Sequence, residues 1–237
     1  MVAPALYVIL GLSYQEAIAL SLVYSLLTKV VGAVQHVRQG TVLWKITLLY
    51  GLTGIPGAVL GSYAIYFTAS ATARLFPYLM AALLVVVAAL ILLETLVRSL
   101  ASRDKPFSPH SFTPAGIAAI AGFQLVVGVL LGITSVGSGS LVILSMLYLF
   151  RMSAHQIVGS NLVIALIMVL PAGLTHLTLG GTDVSLLALL MVGSIVGTVI
   201  GARTTLRLPE SRLKLVIVVL ILAGALATVI KAGQAAH

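Results

Sequence analysis

The stretch SAHQIVGSNLVIALIMVLPAGLTHLTLG, Ser153 to Gly180, decides the fold, because SYQEAIALSLVYSLLTKVVGAVQHVRQG, Ser13 to Gly40, matches it at a constant offset of 140 residues (153 − 13). Ser13 falls on Ser153, Ser21 on Asn161, His36 on His176 and Gly40 on Gly180. The register continues with Gly57 on Gly197, Gly61 on Gly201 and Arg74 on Lys214. A register kept without slippage over such a length argues for an internal duplication. The chain is read as two related halves, 1–100 and 114–237, joined by a linker at 101–113.

Hydrophobic residues make up 60% of the 237 and charged residues 8%, whereas a soluble surface needs roughly a quarter of its residues charged. This is the composition of an all-α integral membrane protein, whose unit is the span of about 20 apolar residues that crosses a bilayer. The absence of cysteine excludes disulfides, thiolate catalysis, iron–sulfur clusters and cysteine zinc sites; no metal and no cofactor is expected. The net charge of +8 is spread over short segments between helices, with no basic run or aromatic platform. It is read as a topology signal rather than a nucleic-acid surface. No basic leader precedes the first apolar run, so no cleavable signal peptide is expected.

Residues 2–12 form an apolar run too short to span, read as the tail of a helix that begins before Met1. Spans are expected over about Gln15–Val37, Val42–Phe67 and Thr72–Leu100. Ala101–Thr113 carries three charges and two prolines and reads as the linker. A helix starts at Pro114, a favoured first-turn residue, and runs to about Thr134. There SVGSGS, Ser135–Ser140, interrupts it; irregular backbone at membrane depth is tolerated only where it is buried in protein or lines a cavity. A short helix over Leu141–Phe150 follows, then spans at about 154–178, 184–206 and 210–231, with Gly193, Gly197 and Gly201 giving the middle one a close-packing face.

Charge counting orients these spans. If 114–134 and 141–150 are two crossings or a re-entrant pair, then Arg38, Lys45, Arg98, Arg103, Lys105, Arg151, Arg203, Arg207, Arg212 and Lys214 share one side against Arg74 and Lys231. A single broken crossing gives six against six. The positive-inside rule selects the first arrangement. It places the linker 101–113 and the loop 203–214 in the cytoplasm of a multi-pass protein of the cell (inner) membrane, and it inverts one half relative to the other. Inverted repeats with interrupted helices are a transporter architecture.

Ser21, Ser25, Thr28, Gly32 and His36 follow one another at spacings of three and four, and Lys29 stands four after Ser25, so all six share one helical face. The matching stripe in the second half is Asn161, Ala165, Met168, Ala172 and His176. Lys29 falls near the bilayer midplane, where an unpaired ammonium costs from about three to well over ten kcal/mol. The five acids, Glu16, Glu94, Asp104, Asp183 and Glu210, fall in loops or toward helix ends, which leaves a cation site or a carboxylate proton relay without candidates. A cation, hydroxyls, an Asn and imidazoles suit an anion, and the interrupted helix, through Ser135, Gly137, Ser138, Gly139 and Ser140, adds N–H donors at a helix start. Plainer roles compete: each hydroxyl can bond its own backbone, Lys29 can snorkel or pair with Glu94, and His36 and His176 can cap loops instead of handling protons.

His36-Val-Arg-Gln-Gly-Thr-Val-Leu-Trp44 with its partner His176–Val184, the Gly128-x-x-x-Gly132-x-Thr-Ser-Val-Gly-Ser-Gly-Ser140 run, and the Gly201-Ala-Arg to Leu-Pro209-Glu-Ser-Arg-Leu213 run resemble the sulfite exporter TauE/SafE family. The resemblance implies an inverted-repeat exporter of small anions such as sulfite or organosulfonates. It also implies one glycine-rich motif per repeat, of which this sequence carries the second. The substrate site expected is Ser21, Ser25, Thr28, Lys29 and Asn161 with the SVGSGS turn, and the partners expected are a small anion and the lipid bilayer, with a homodimer allowed and no nucleic acid. The alternatives are an intramembrane enzyme built on a Ser25–Lys29 dyad and a non-transporting accessory subunit.

Overall fold

The structure is a computed structural model that describes residues 2–68, 74–100, 113–136, 139–150, 152–180, 185–190, 192–193 and 210–234, without the side chains at 27, 93–100, 154, 180 and 210–214. Among its helices are α1 (Val2–Ile9), α2 (Tyr14–Arg38), α3 (Trp44–Phe67), α4 (Phe76–Leu100), α5 (Pro114–Thr134), α6 (Ser140–Leu149), α7 (Ala154–Gly180) and α8 (Glu210–Gln234). The described residues contain no strand. Stretches of α2, α3, α5, α7 and α8 are each long and apolar enough to cross a bilayer; the chain is an all-α polytopic membrane protein. Most of the span expected over 184–206, including Gly197 and Gly201, and the linker at 101–112 lie outside the described residues. α4 begins at Phe76 rather than near Thr72, because Arg74 and Leu75 form a turn and Pro77 suits a first helical turn.

The stretches Ser13–Gly40 and Ser153–Gly180 start their helices in the same way. Before α2, Ser13 Oγ accepts from the Glu16 N–H at 3.3 Å and Glu16 Oε2 accepts from the Ser13 N–H at 2.9 Å. Before α7, Ser153 Oγ accepts from the Gln156 N–H at 3.3 Å and Gln156 Oε1 from the Ser153 N–H at 3.0 Å. Each reciprocal cap satisfies two N–H groups that the helix leaves open.

Contacts fix the direction of each helix. Along α2 and α7, His36 lies against Gly159, Gly32 against Leu162 and Leu26 against Gly173, so the numbers run oppositely and the helices are antiparallel. Along α3 and α7, the Leu43 N–H donates to Ser160 Oγ at 3.0 Å, Gly51 meets Ile167 and Tyr66 meets His176; these two are parallel. One face of the bundle therefore holds the start of α2 and the ends of α3 and α7. The opposite face, called here the linker face, holds the end of α2 and the starts of α3 and α7.

The remaining helices follow. The Phe76 ring stacks on Tyr14, 6.3 Å between centroids, so α4 starts at the far face and its 25 residues reach the linker face. α6 descends toward the linker face, since Ser145 Oγ lies 3.3 Å from the Tyr50 hydroxyl and the Phe150 ring packs on the Tyr50 ring. α1 rises the other way, bringing the Tyr7 ring edge-on to Tyr14 at 5.9 Å. The half-length helices α1 and α6 thus point in opposite directions.

α3 and α5 form the tightest seam. A Cβ at Gly57 or Gly61 would land on the Leu125 or Val129 carbonyl, and one at Gly128 or Gly132 on the Gly54 or Ala58 carbonyl. Gly57 goes with Leu125 and Gly61 with Val129, so the two helices run parallel. Lipid tails are as apolar as Leu and give no hydrophobic drive, so close backbone approach is the main source of such packing.

Backbone, unlike a flexible side chain, has little room to yield. Gly61→Val is therefore expected to cost more than the roughly 1–3 kcal/mol of ordinary overpacking and to abolish a monodisperse peak in detergent chromatography. Gly122→Ala, whose Cβ meets nothing within 4 Å, should elute like the parent protein.

Candidate functional site

α5 ends inside the bundle at Ser135, a non-glycine residue in the left-handed region at φ 57°. This conformation costs about 1–2 kcal/mol, and the surroundings hold it. The carbonyls of Leu130 to Ile133 are taken one by one. Thr134 Oγ1 donates to Leu130 O at 2.6 Å and the Ser135 N–H to Leu131 O at 2.7 Å. Beyond them, His176 Nε2 lies 3.2 Å from Gly132 O and the Tyr14 hydroxyl donates to Ile133 O at 2.9 Å.

At this break the polar stripe of α2 arrives. Ser21, buried, lies with its hydroxyl 2.5 Å from that of Ser135. Two residues expected from sequence to share a site are thus brought together from positions 114 apart. Gly137 and Ser138 lie outside the described residues; Gly139 caps α6 without a side-chain bond and Ser140 opens that helix. Ser25 and Thr28 turn inward on their own helix instead, donating to Leu22 O at 2.8 Å and Ser25 O at 2.9 Å. A hydroxyl engaged in this way reaches a ligand only by rotating off its carbonyl.

Lys29 is half-buried. It lies between Gly32, level with Leu162, and Leu26, level with Gly173. That is the level of Met168, which packs on Gly54 in the middle of α3. Lys29 has no hydrogen-bond or ion-pair partner among the described residues, including Ser25, so the dyad geometry is not formed. The Glu94 side chain is outside the described residues. Asn161 is buried near the linker face, one residue past Ser160, and its Oδ1 has no partner among the described residues.

The histidines sit at opposite faces. His36 is half-buried at the linker face, with Nδ1 2.9 Å from Thr41 Oγ1. His176 is fully buried near the far face, with Nδ1 2.9 Å from the Tyr66 hydroxyl.

Sequence reading missed Tyr14, Tyr66 and Gln124. Gln124 is fully buried, and neither end of its amide has a partner among the described residues. It precedes Leu125, whose carbonyl abuts Gly57, so it lies near mid-bilayer beside the glycine seam. A lone amide within the apolar run 114–134 was the available signal. No group of three or more metal-ligating side chains occurs among the described residues.

Long apolar helices joined to half-length helices, with polar side chains where the short ones meet the long ones, are an architecture of membrane transporters. The chain belongs to the sulfite exporter TauE/SafE family, whose model matches residues 1–228. It is 30% identical over 232 residues to the "Probable membrane transporter protein YjnA" of Bacillus subtilis (strain 168), covering 93% of this chain and 87% of that one. It is 28% identical over 198 residues to the "Probable membrane transporter protein YdhB" of the same organism, covering 84% and 78%. No solved structure matches the chain.

Two stability measurements check this geometry. Ser135→Gly and Ser135→Ala both remove the hydroxyl, but only Gly relieves the left-handed backbone, so the Gly variant should be more stable by about 1 kcal/mol; the reverse order would contradict the backbone assignment. Gln124→Met removes an orphaned amide that costs about 1–3 kcal/mol. It should raise the thermal midpoint in detergent, and a lowered midpoint would mean that the amide has partners.

Proposed function

We propose that the protein moves a small anion, such as sulfite or an organosulfonate, across the cell membrane. The observation that carries this reading is Lys29, without a partner among the described residues, on the same α2 stripe whose Ser21 meets the interrupted helix at Ser135. A mid-bilayer ammonium with no carboxylate beside it among the described residues attracts negative charge, and hydroxyl donors nearby can replace part of an oxyanion's hydration shell. Ser21 and Ser135 serve the far-face half of the path and Asn161 the linker-face half, with Ser25 and Thr28 as donors that rotate into use.

The reading takes 1–100 and 114–237 as inverted repeats. Matching caps at Ser13 and Ser153, antiparallel α2 and α7, and opposed α1 and α6 support it. The linker face is then cytoplasmic, a side that the ten-to-two distribution of basic residues in sequence favours. Alternating access comes from one repeat rocking against the other.

Lys29→Met is expected to lower sulfite-dependent flux in proteoliposomes by about tenfold or more, the equivalent of some 1.4 kcal/mol, while the purified protein stays folded; Lys29→Arg should retain part of the flux. Full flux in the Met variant would remove Lys29 from the path.

A further inference from the structure

We propose that Tyr14, Tyr66 and His176 form a clasp that ends α5 inside the bilayer and holds Ser135 against Ser21, making them positioning residues for the substrate site. Their transport role rests on the reading above, but the clasp itself is a matter of geometry.

A helix that ends in water leaves its last carbonyls to solvent; one that ends in a bilayer needs donors. Ser135 supplies one of them locally, its N–H donating to Leu131 O. Two more come from afar: Tyr14 is 119 residues from Ile133, and His176 is 44 from Gly132. Tyr14 is the first residue of α2 and lies behind the Ser13 cap, so the start of α2 is itself fixed. His176 sits in the last turn and a half of α7.

The tautomer of His176 follows from its partners. A carbonyl only accepts, so Nε2 carries the proton toward Gly132 O; the neutral ring's Nδ1 then accepts from the Tyr66 hydroxyl. The chain Tyr66 O–H to imidazole to Gly132 O ties the ends of α3, α7 and α5 together with both ring nitrogens used. A ring so engaged has no free lone pair for a travelling proton, which separates this role from proton carriage. On the opposite side, Gly132 presses against Ala58 and Ser62 of α3, so the last turn of α5 is held there as well. Ser135 follows directly, and its left-handed backbone is thereby over-determined.

The chain has no cysteine, so the double variant Ser21→Cys/Ser135→Cys reports the juxtaposition by disulfide formation under mild oxidation. The full-length pair variant in detergent should cross-link readily. Adding His176→Leu should lower the yield about fivefold, the effect of one lost hydrogen bond on a local equilibrium, and His176→Gln, which keeps a donor, should restore most of it. Tyr14→Phe and Tyr66→Phe, each deleting a single hydroxyl, should lower the yield too, and they decide the matter should the Leu variant not fold. Unchanged cross-linking in these variants, or none in the parent pair, overturns the proposal. Lys29→Met in the pair background should leave cross-linking intact, so a failure of the anion reading shows only in flux and a failure of the clasp only in cross-linking.

Discussion

A helix that stops inside a bilayer must have its terminal carbonyls supplied with donors, and the bundle around Ser135 is built on that requirement. Each unsatisfied group in hydrocarbon costs several kcal/mol, more than most single contacts contribute. The donors for Gly132 and Ile133 lie on α7 and α2. The end of α7 and the start of α2 must therefore reach the same depth as the end of α5, which the antiparallel α2 and α7 allow and a parallel pair would not. The capping boxes before Glu16 and Gln156 then set where each helix begins, and so which residue arrives at that depth.

The glycine seam meets the same need from the other side. With Gly57, Gly61, Gly128 and Gly132 bringing backbones into contact, α3 cannot slide away from α5 without losing its main attraction. The seam also closes over Gln124 and leaves its amide unpaired among the described residues. Tight packing and a satisfied amide conflict at this point, and in this conformation packing wins. A buried polar group left open in one arrangement of a two-state bundle favours whichever arrangement gives it a partner.

Much of the fold could be read from sequence because lipid makes composition decisive. The apolar spans, the break at SVGSGS and the basic asymmetry each follow from what hydrocarbon excludes. The α2 stripe was legible as a face, but which hydroxyls leave the helix was not. Ser25 and Thr28 are captured by carbonyls three residues back while Ser21 is not, and that competition turns on neighbours that spacing alone does not reveal. Tyr14 escaped because the 140-residue register sets it against Ala154, which has no hydroxyl. Tyr66 and His176 meet only once α3 and α7 are known to run parallel. Gln124 needed no structure, only attention to a neutral amide as well as to charges.

The division of labour between charge and hydroxyls follows from these contacts. Ser21 and Ser135 share one hydroxyl–hydroxyl bond, so one proton of the pair is left for a ligand at the break. A neutral donor of that kind orients an oxyanion but separates it poorly from water, which also accepts. An ammonium discriminates by charge but, as a flexible point charge, orients little. Under the transport reading the two are separated in depth, with Ser135 near the far face, Lys29 midway and Asn161 near the linker face. A rocking bundle can then hold the charge at the centre while oriented donors change from one side to the other. A single site combining both would bind more tightly and release more slowly.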